Sequence, residues 1–376
     1  MRLLYITNSR IPTEKAHGLQ IVKTAEAFKK TGLAVTLFIP KRKNHIKTNI
    51  ETFYNIKSAV NIIRVPDMVR PFQYLSEALY FPLQRLWFGV VAFVYGLFWP
   101  GSIYSRDITV SFFLSLFGKR VTYEDHQPKL RLNWLYMFFL RVIPRKVLVA
   151  QNLIAEYEAM RISKESYICA PNGVDIAEFD KVSVDKTFWH REFGIPADLP
   201  VALYVGHFYR WKGVYTVLDA AKDIKAAVVL IGGTKEDYEA VTQYIKERAR
   251  TNVYLHPFVP HHEIIKYIKS ADILVLPNTA IEERSQKYTT PIKLFEYMAS
   301  GVPIVASNIS SLTPYLKNNA NALLCAPDNP HELAESINAV LGNKDLAKRI
   351  SNQAENDAGQ YDWKNRAQKI IRFIAS

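Results

Sequence analysis

The amino-acid sequence predicts an α/β protein built from two doubly wound parallel sheets, each with its own crossover helices. Three observations lead there. Short apolar runs of strand length alternate with stretches of helical spacing along the chain, as in successive βαβ units. The alternation pauses where a turn signal, Ala170-Pro-Asn-Gly-Val-Asp175, leads into the polar, charged stretch 177–186, and then begins again. A length of 376 residues suits two domains of ordinary size. The expected division is residues 1–176, residues 177–355, and a closing segment 356–376 that returns to the first domain. Ligands of such folds sit in a cleft, here expected between the two domains.

In order, residues 3–7 are a short apolar strand, 8–18 a polar loop with Pro12 and Gly18, and 19–30 an amphipathic helix with Ile21, Val22, Ala25 and Phe28 on one face. Gly32 stops that helix, and residues 34–39 form the second strand. Residues 62–65, 102–105, 120–123 and 147–150 are further strands with helices between them. After the pause, strands are expected at 201–205, 227–231, 253–255, 273–276 and 304–306, and helices at 214–222, 237–250 and 264–270. No G-x-G-x-x-G follows the first strand, so a dinucleotide fingerprint is not supported.

Composition narrows the function classes. With 49% hydrophobic and 22% charged residues and no low-complexity tract, the chain is globular. A net charge of +13 favours an anionic partner. Without zinc-finger spacing, an RNA-binding aromatic motif or a basic tail, nucleic acid ranks low. The two cysteines, Cys169 and Cys325, match no metal spacing or disulfide framework, which favours a reducing, cytoplasmic setting. The first residues lack the apolar run of a signal peptide. Residues 86–99 are uncharged and apolar but shorter than the ~20 residues a bilayer crossing takes, and are expected to be a buried core helix. A second aromatic run, 134–140, lies between Arg131 and the basic stretch 141–146, a pattern suited to peripheral contact with an anionic membrane surface.

The most informative stretch is Lys287-Tyr-Thr-Thr-Pro-Ile-Lys-Leu-Phe-Glu-Tyr-Met-Ala-Ser-Gly301-Val-Pro303. Thr290 is expected to cap a helix with Pro291 in its first position, and Gly301 with Pro303 to end it. Lys293 in the first turn is the oddity, because a cation at a helix N-terminus is unfavourable by ~0.3–1 kcal/mol unless an anion offsets it. Backbone N–H groups near Lys293 and Leu294 would join such an anion site, with phosphate the usual occupant. Glu296, deeper in the helix, could accept hydrogen bonds from the hydroxyls of whatever carries that phosphate. A plain surface helix with a solvated Lys293 is the alternative reading. Gly206-His-Phe-Tyr-Arg-Trp-Lys-Gly213 directly follows a strand and brings Arg210 and Lys212 in a glycine-bounded loop, suited to clamping a diphosphate; a solvated basic loop stays open as its alternative. Tyr123-Glu-Asp-His-Gln-Pro128 places His126 just past a strand. There is no D-x-D triplet, no G-x-S-x-G and no Walker A loop, and His256, His261 and His262 read as loop residues, so no metal is expected.

On these residues the chain resembles a glycosyltransferase of the GT-B fold, family 4, over nearly its whole length. Pro291-Ile-Lys-Leu-Phe-Glu-Tyr-Met-Ala-Ser-Gly-Val-Pro-Ile-Val-Ala306 is similar to that family's donor-site helix. Pro171-Asn-Gly-Val-Asp175, the loop from Gly206 to Gly213, Gly18, and Tyr361-Asp-Trp363 with its following helix support the resemblance. It implies a retaining, metal-independent hexosyltransferase that takes a nucleoside-diphosphate sugar as donor. It implies that Glu296 holds the ribose hydroxyls, that Lys212 helped by Arg210 stabilises the departing diphosphate, and that Gly206, Thr290, Lys293 and Leu294 complete the donor site. His126 would touch the donor sugar and Gly18 would let the first loop approach the phosphates. Two positions depart from the family pattern. Tyr288 stands where a first Glu is usual, with Glu282 and Glu283 nearby, and His207 stands where an Arg is usual, with Arg210 as the expected replacement. The expected acceptor is a lipid-linked or envelope saccharide held by the first domain at the inner membrane face. A nucleotide-binding protein that has lost catalysis through Tyr288 and a sugar-nucleotide epimerase are the rival expectations.

Overall fold

Apolar runs bounded by glycine and polar turns become the strands of two separate parallel sheets in the computed structural model, which describes residues 1–68, 76–126 and 134–376. Pro71, Gln127, Pro128 and Arg131 lie outside the described residues.

The first unit comprises Met1–Pro171 and Trp363–Ser376. Its strands are β1 (Arg2–Ile6), β2 (Ala34–Pro40), β3 (Asn61–Val65), β4 (Ser102–Ser105), β5 (Val121–Asp125), β6 (Arg145–Leu148) and β7 (Tyr167–Cys169). They run in the order β3-β2-β1-β4-β5-β6-β7, every pairing parallel. Leu3, Leu4, Tyr5 and Ile6 are fully buried, as expected of a central strand covered by helices on both faces.

The second unit is Asn172–Asp362. Its strands are β8 (Val201–Val205), β9 (Ala227–Ile231), β10 (Val253–His256), β11 (Ile273–Leu276), β12 (Ile304–Ser307) and β13 (Leu323–Cys325), in the order β10-β9-β8-β11-β12-β13. In both sheets the strand order reverses once, between β1 and β4 and between β8 and β11. A doubly wound sheet opens a crevice at the carboxyl ends of the two strands flanking that reversal, and ligands bind there.

The division falls before residue 172 rather than after 176, and the chain rejoins the first unit at Trp363 rather than 356. The cause is local. Val174 N–H donates to the Tyr361 carbonyl at 2.9 Å and Val174 bridges Asp362, so the outgoing and returning strands are tied together inside the second unit. The stretch expected as a linker holds the helix Ile176–Asp180, whose Phe179 is buried in that unit's core.

The apolar stretch 86–99 is not a wholly buried helix. It is part of a longer helix, Glu77–Leu97, and Ala78–Leu97 is the one described segment long and apolar enough to cross a membrane, yet most of its most apolar stretch is not buried. Phe88 and Ala92 pack against Leu4, Ile6 and Phe38, while the opposite side faces outward. An apolar helix of uniform composition cannot show from sequence which side the sheet covers.

Candidate functional site

Gly206 leaves β8 with φ +141° and opens the loop at the strand reversal of the second unit. The loop tightens into a 3-10 turn, Arg210–Lys212, and ends at Gly213, whose φ is +77°. A Cβ at Gly213 would lie 1.6 Å from the Pro277 carbonyl oxygen, so glycine is required for the loops after β8 and β11 to touch. Three further bonds fix that contact: the Trp211 carbonyl accepts from Thr279 N–H and from the Thr279 hydroxyl, each at 3.3 Å, and from the Ser285 hydroxyl at 3.0 Å. Ser285 belongs to a π-helical turn, Arg284–Tyr288, an irregularity frequent at functional sites.

Lys212 sits in this corner with Nζ 4.5 Å from the Trp211 ring centroid, and the Arg284 guanidinium lies 5.5 Å from the same ring. Burial, with the Arg284 charge adding to it, pushes the Lys212 ammonium down to about 8. Lys293, on the helix Ile292–Met298, is buried. Its Nζ lies 3.9 Å from the Tyr204 ring centroid and has no hydrogen-bond partner among the described residues. Burial, and then the Lys212 charge, hold it well below the ordinary lysine range against the opposing pull of Glu296. A Cβ at Gly206 would come within 3.7 Å of that Nζ, so the glycine keeps the space beside the ammonium open. Among the described residues other buried polar atoms lack partners as well: the side-chain oxygen and nitrogen of Asn278 just past β11, the Thr290 hydroxyl, and Asn172 Oδ1. Buried donors and acceptors seldom stay unpaired. Lys212 and Lys293 thus lie close enough to disfavour each other's charge, in a unit that leaves several buried polar groups unpaired.

Glu296 lies one turn beyond Lys293 and accepts from His261 Nε2 at 2.5 Å. His261 and His262 are not loop residues but open the helix His261–Ser270, and His256 closes β10. The pairing of His261 with Glu296 was not visible in the sequence, because 35 positions separate the partners.

The structure therefore joins Gly206, Lys212, Lys293 and Glu296 in one region and corrects other expectations. Arg210 is exposed and stacks over Tyr215 at 4.7 Å instead of joining Lys212; Arg284 is the second cation there. Pro291, not Thr290, holds the cap position of the helix, because its extended ψ of 140° precedes the first helical residue. Leu294 N–H already donates to the Pro291 carbonyl at 3.1 Å, and its side chain is in the core, so that amide is not free to join an anion site. Tyr288 is buried, whereas Glu282 and Glu283 are exposed, Glu283 pairing with Lys287 at 3.0 Å.

In the first unit, His126 follows β5 and its Nε2 bonds to Glu124 Oε1 at 2.5 Å. Burial and the Arg106 charge push the imidazole down to about 4, outweighing Glu124, so it is neutral at pH 7. With Nε2 donating to a carboxylate, Nδ1 is left as an acceptor. Gly18 lies in the first turn of the helix Ala16–Lys30, not in a loop. A Cβ there would meet the Tyr54 hydroxyl at 2.2 Å, so close packing against Tyr54 is what demands glycine.

A pH dependence follows from Lys212. Its proton is held less tightly in the fold than in the unfolded chain, whose lysine titrates near 10.5, so discharging it between about 8 and 10.5 relieves the fold. Anion affinity must move the opposite way, because only the ammonium attracts. Pyrophosphate titrated calorimetrically should bind progressively more weakly from pH 7.5 to pH 9.5, with proton uptake on binding; an affinity flat across that range would remove Lys212 from the site.

Residues 185–357 match the family described as Glycosyl transferases group 1. Over 209 residues, covering 53% of this chain and 51% of its partner, the sequence is 29% identical to an uncharacterized glycosyltransferase of Methanocaldococcus jannaschii. It is 25% identical to the N,N'-diacetylbacillosaminyl-diphospho-undecaprenol alpha-1,3-N-acetylgalactosaminyltransferase of Campylobacter jejuni, covering 64% of this chain and 63% of that one. The chain thus spans about half to two thirds of the length of these relatives. The solved structure of Anabaena HepE in complex with UDP-glucose is similar over 100% of this chain and 99% of its own, with a TM-score of 0.76 at 16% identity.

Proposed function

We propose that this chain, whose second unit carries the glycosyl transferases group 1 domain on a GT-B fold, transfers a sugar from a nucleoside diphosphate to an acceptor hydroxyl. The observation that carries the reading is Lys293: a buried ammonium without a hydrogen-bond partner among the described residues, beside Lys212, at the strand reversal of the unit that matches the family. Lys212 and Lys293 grip the diphosphate, with Arg284 at the edge. Their charge is matched best by the leaving group, whose negative charge grows as the glycosidic bond breaks, so they favour the transition state over the ground state. This supports a metal-independent reaction, in which cations of the chain do the work of a divalent ion. Glu296, held by His261, accepts from the ribose hydroxyls. Neutral His126 takes a sugar hydroxyl hydrogen bond through Nδ1. Retention of anomeric configuration and a place in family 4 come with the family resemblance. The donor is drawn from the cytoplasm. The acceptor is a saccharide carried on a lipid, a reading supported by the diphospho-undecaprenol in the name of the C. jejuni relative.

A thermal-shift screen over nucleoside diphosphates and their hexose conjugates tests this. At ~100 times its dissociation constant, the right ligand stabilises the fold by about 2.7 kcal/mol. The shift should appear with one base and vanish in Lys212→Ala. Absence of a shift with every nucleotide would contradict the proposal. Tyr288 in place of the family's Glu favours a second reading, nucleotide binding without turnover. Release of free diphosphate from the shifting conjugate separates the two.

A further inference from the structure

Three helices of the first unit, Glu77–Leu97, Ile108–Leu116 and Trp134–Val142, pack side by side and each turns an apolar stripe outward. On the first, Leu86, Val90 and Val94 recur at four-residue steps and are 64%, 50% and 48% exposed. Phe113 and Phe117 repeat that step at the second, and Trp134 and Phe138 on the third. The stripes are continuous. Phe93 bridges the first two helices, its ring 6.1 Å from Phe113 and 5.4 Å from Phe117, and Phe112 stacks on Phe139 at 4.0 Å across the second and third. Scattered exposed apolar side chains mean nothing, but a contiguous patch on this scale marks an interaction surface.

Charge identifies the occupant. Arg85, Arg120 and Arg141 are exposed on or beside these helices. The only carboxylate from residue 78 to 123 outside β5 is Asp107, which is buried and caps its own helix by accepting from Thr109 and Val110 N–H; from 134 to 149 there is none. An apolar face rich in aromatic rings, with cations and, past Glu77 at the start of the first helix, no exposed carboxylate among the described residues of the three helices, complements an anionic bilayer: rings enter the headgroup boundary and guanidinium groups meet phosphates.

The helix long enough to cross a membrane is held to the sheet. A Cβ at Gly96 would meet Leu114 Cδ1 at 2.8 Å, Trp87 Nε1 donates to the Pro66 carbonyl at 2.9 Å, and Lys119 holds the Leu97 and Trp99 carbonyls at 2.9 Å each. Leaving the unit would also expose Phe88 and Ala92.

We propose that this three-helix face docks the first unit flat on an anionic lipid bilayer, without spanning it. The proposal goes beyond sugar transfer and stands without it, so its test uses no donor. Purified protein is floated with vesicles of phosphatidylcholine alone and of phosphatidylcholine with phosphatidylglycerol, at low and high salt. Flotation with the anionic vesicles, weakened by salt, is expected. Each Arg120→Glu or Arg141→Glu change should cut binding about fivefold or more. Trp134→Ser, at a site 73% exposed and therefore harmless to folding, should weaken it too, and wild-type Trp fluorescence should be quenched by brominated lipid. Absence of flotation would overturn the proposal. So would equal flotation with neutral vesicles, or a concentration-dependent dimer in sedimentation that Trp134→Ser dissolves, which would mean that a second copy covers the face.

Discussion

Lys293→Met is expected to raise the melting temperature of the ligand-free protein and to lower kcat/KM for the nucleotide-sugar donor by about 10²–10³-fold. The two effects share one cause. Removing an ammonium from water costs several kcal/mol even after relaxation. The Tyr204 ring at 3.9 Å returns only about 2 kcal/mol, and Glu296 offsets part of the rest without a hydrogen bond, since Nζ has no hydrogen-bond partner among the described residues. Methionine fills a similar volume with no charge to desolvate, so the resting fold gains. The same change removes one of two cations aimed at the diphosphate, a loss comparable to deleting a preorganised transition-state donor. Scanning calorimetry and steady-state kinetics check the pair together. A destabilised Lys293→Met with unchanged kinetics would make this lysine an ordinary packing residue.

Arg366→Ala should lower the melting temperature of the first unit by about 6–20 °C, from a loss of about 3–5 kcal/mol. Arg366 lies on the helix Trp363–Ala375, which buries Trp363, Ala367, Ile370 and Ile374 at helical spacing against the helix Ala16–Lys30. Its guanidinium is almost fully buried. It donates to Glu124 Oε2 at 2.8 Å, to Thr24 Oγ1 at 3.0 Å and to the Pro171 carbonyl at 2.8 Å. Burial alone would push the Glu124 carboxyl up, but Arg366, His126 and Arg106 together hold it well below the usual range. Alanine leaves that carboxylate buried with only part of its compensation. Pairing the change with Glu124→Gln should recover much of the loss, because then no charge remains uncompensated. Stability from Glu124 is present above the ordinary carboxylate range and is lost as pH falls through its depressed value, so the wild type should weaken in acid more steeply than the double variant. Thermal melts of the four proteins across pH check this; additive losses would contradict the ion-pair account.

Much of this was legible in the sequence. Strands that are apolar on every position, such as residues 3–6 and 227–231, announce parallel sheets covered on both faces. Gly206, Lys212 and Lys293 could be picked out because each violates a local expectation: glycines at a strand end, and lysines where a helix or a tight loop should avoid them. What stayed hidden were contacts between distant positions. Nothing local joins Glu124 to Arg366, 242 residues away, or His261 to Glu296. Arg284 was missed because its importance comes from a π-helical turn that no periodicity shows. Arg210 misled because adjacency in sequence places it in the right loop while the 3-10 turn aims it at Tyr215. The helix Glu77–Leu97 misled in the opposite sense: apolar composition on all sides hides which side is covered.

The claim at the centre is that Lys212 and Lys293 hold a nucleoside diphosphate. A crystal structure with the diphosphate that shifts melting most is its most direct test. Phosphate oxygens within ~3 Å of both ammonium groups, and ribose hydroxyls on Glu296, are the expected result. A nucleotide bound elsewhere, with Lys293 Nζ still lacking a partner, would contradict it.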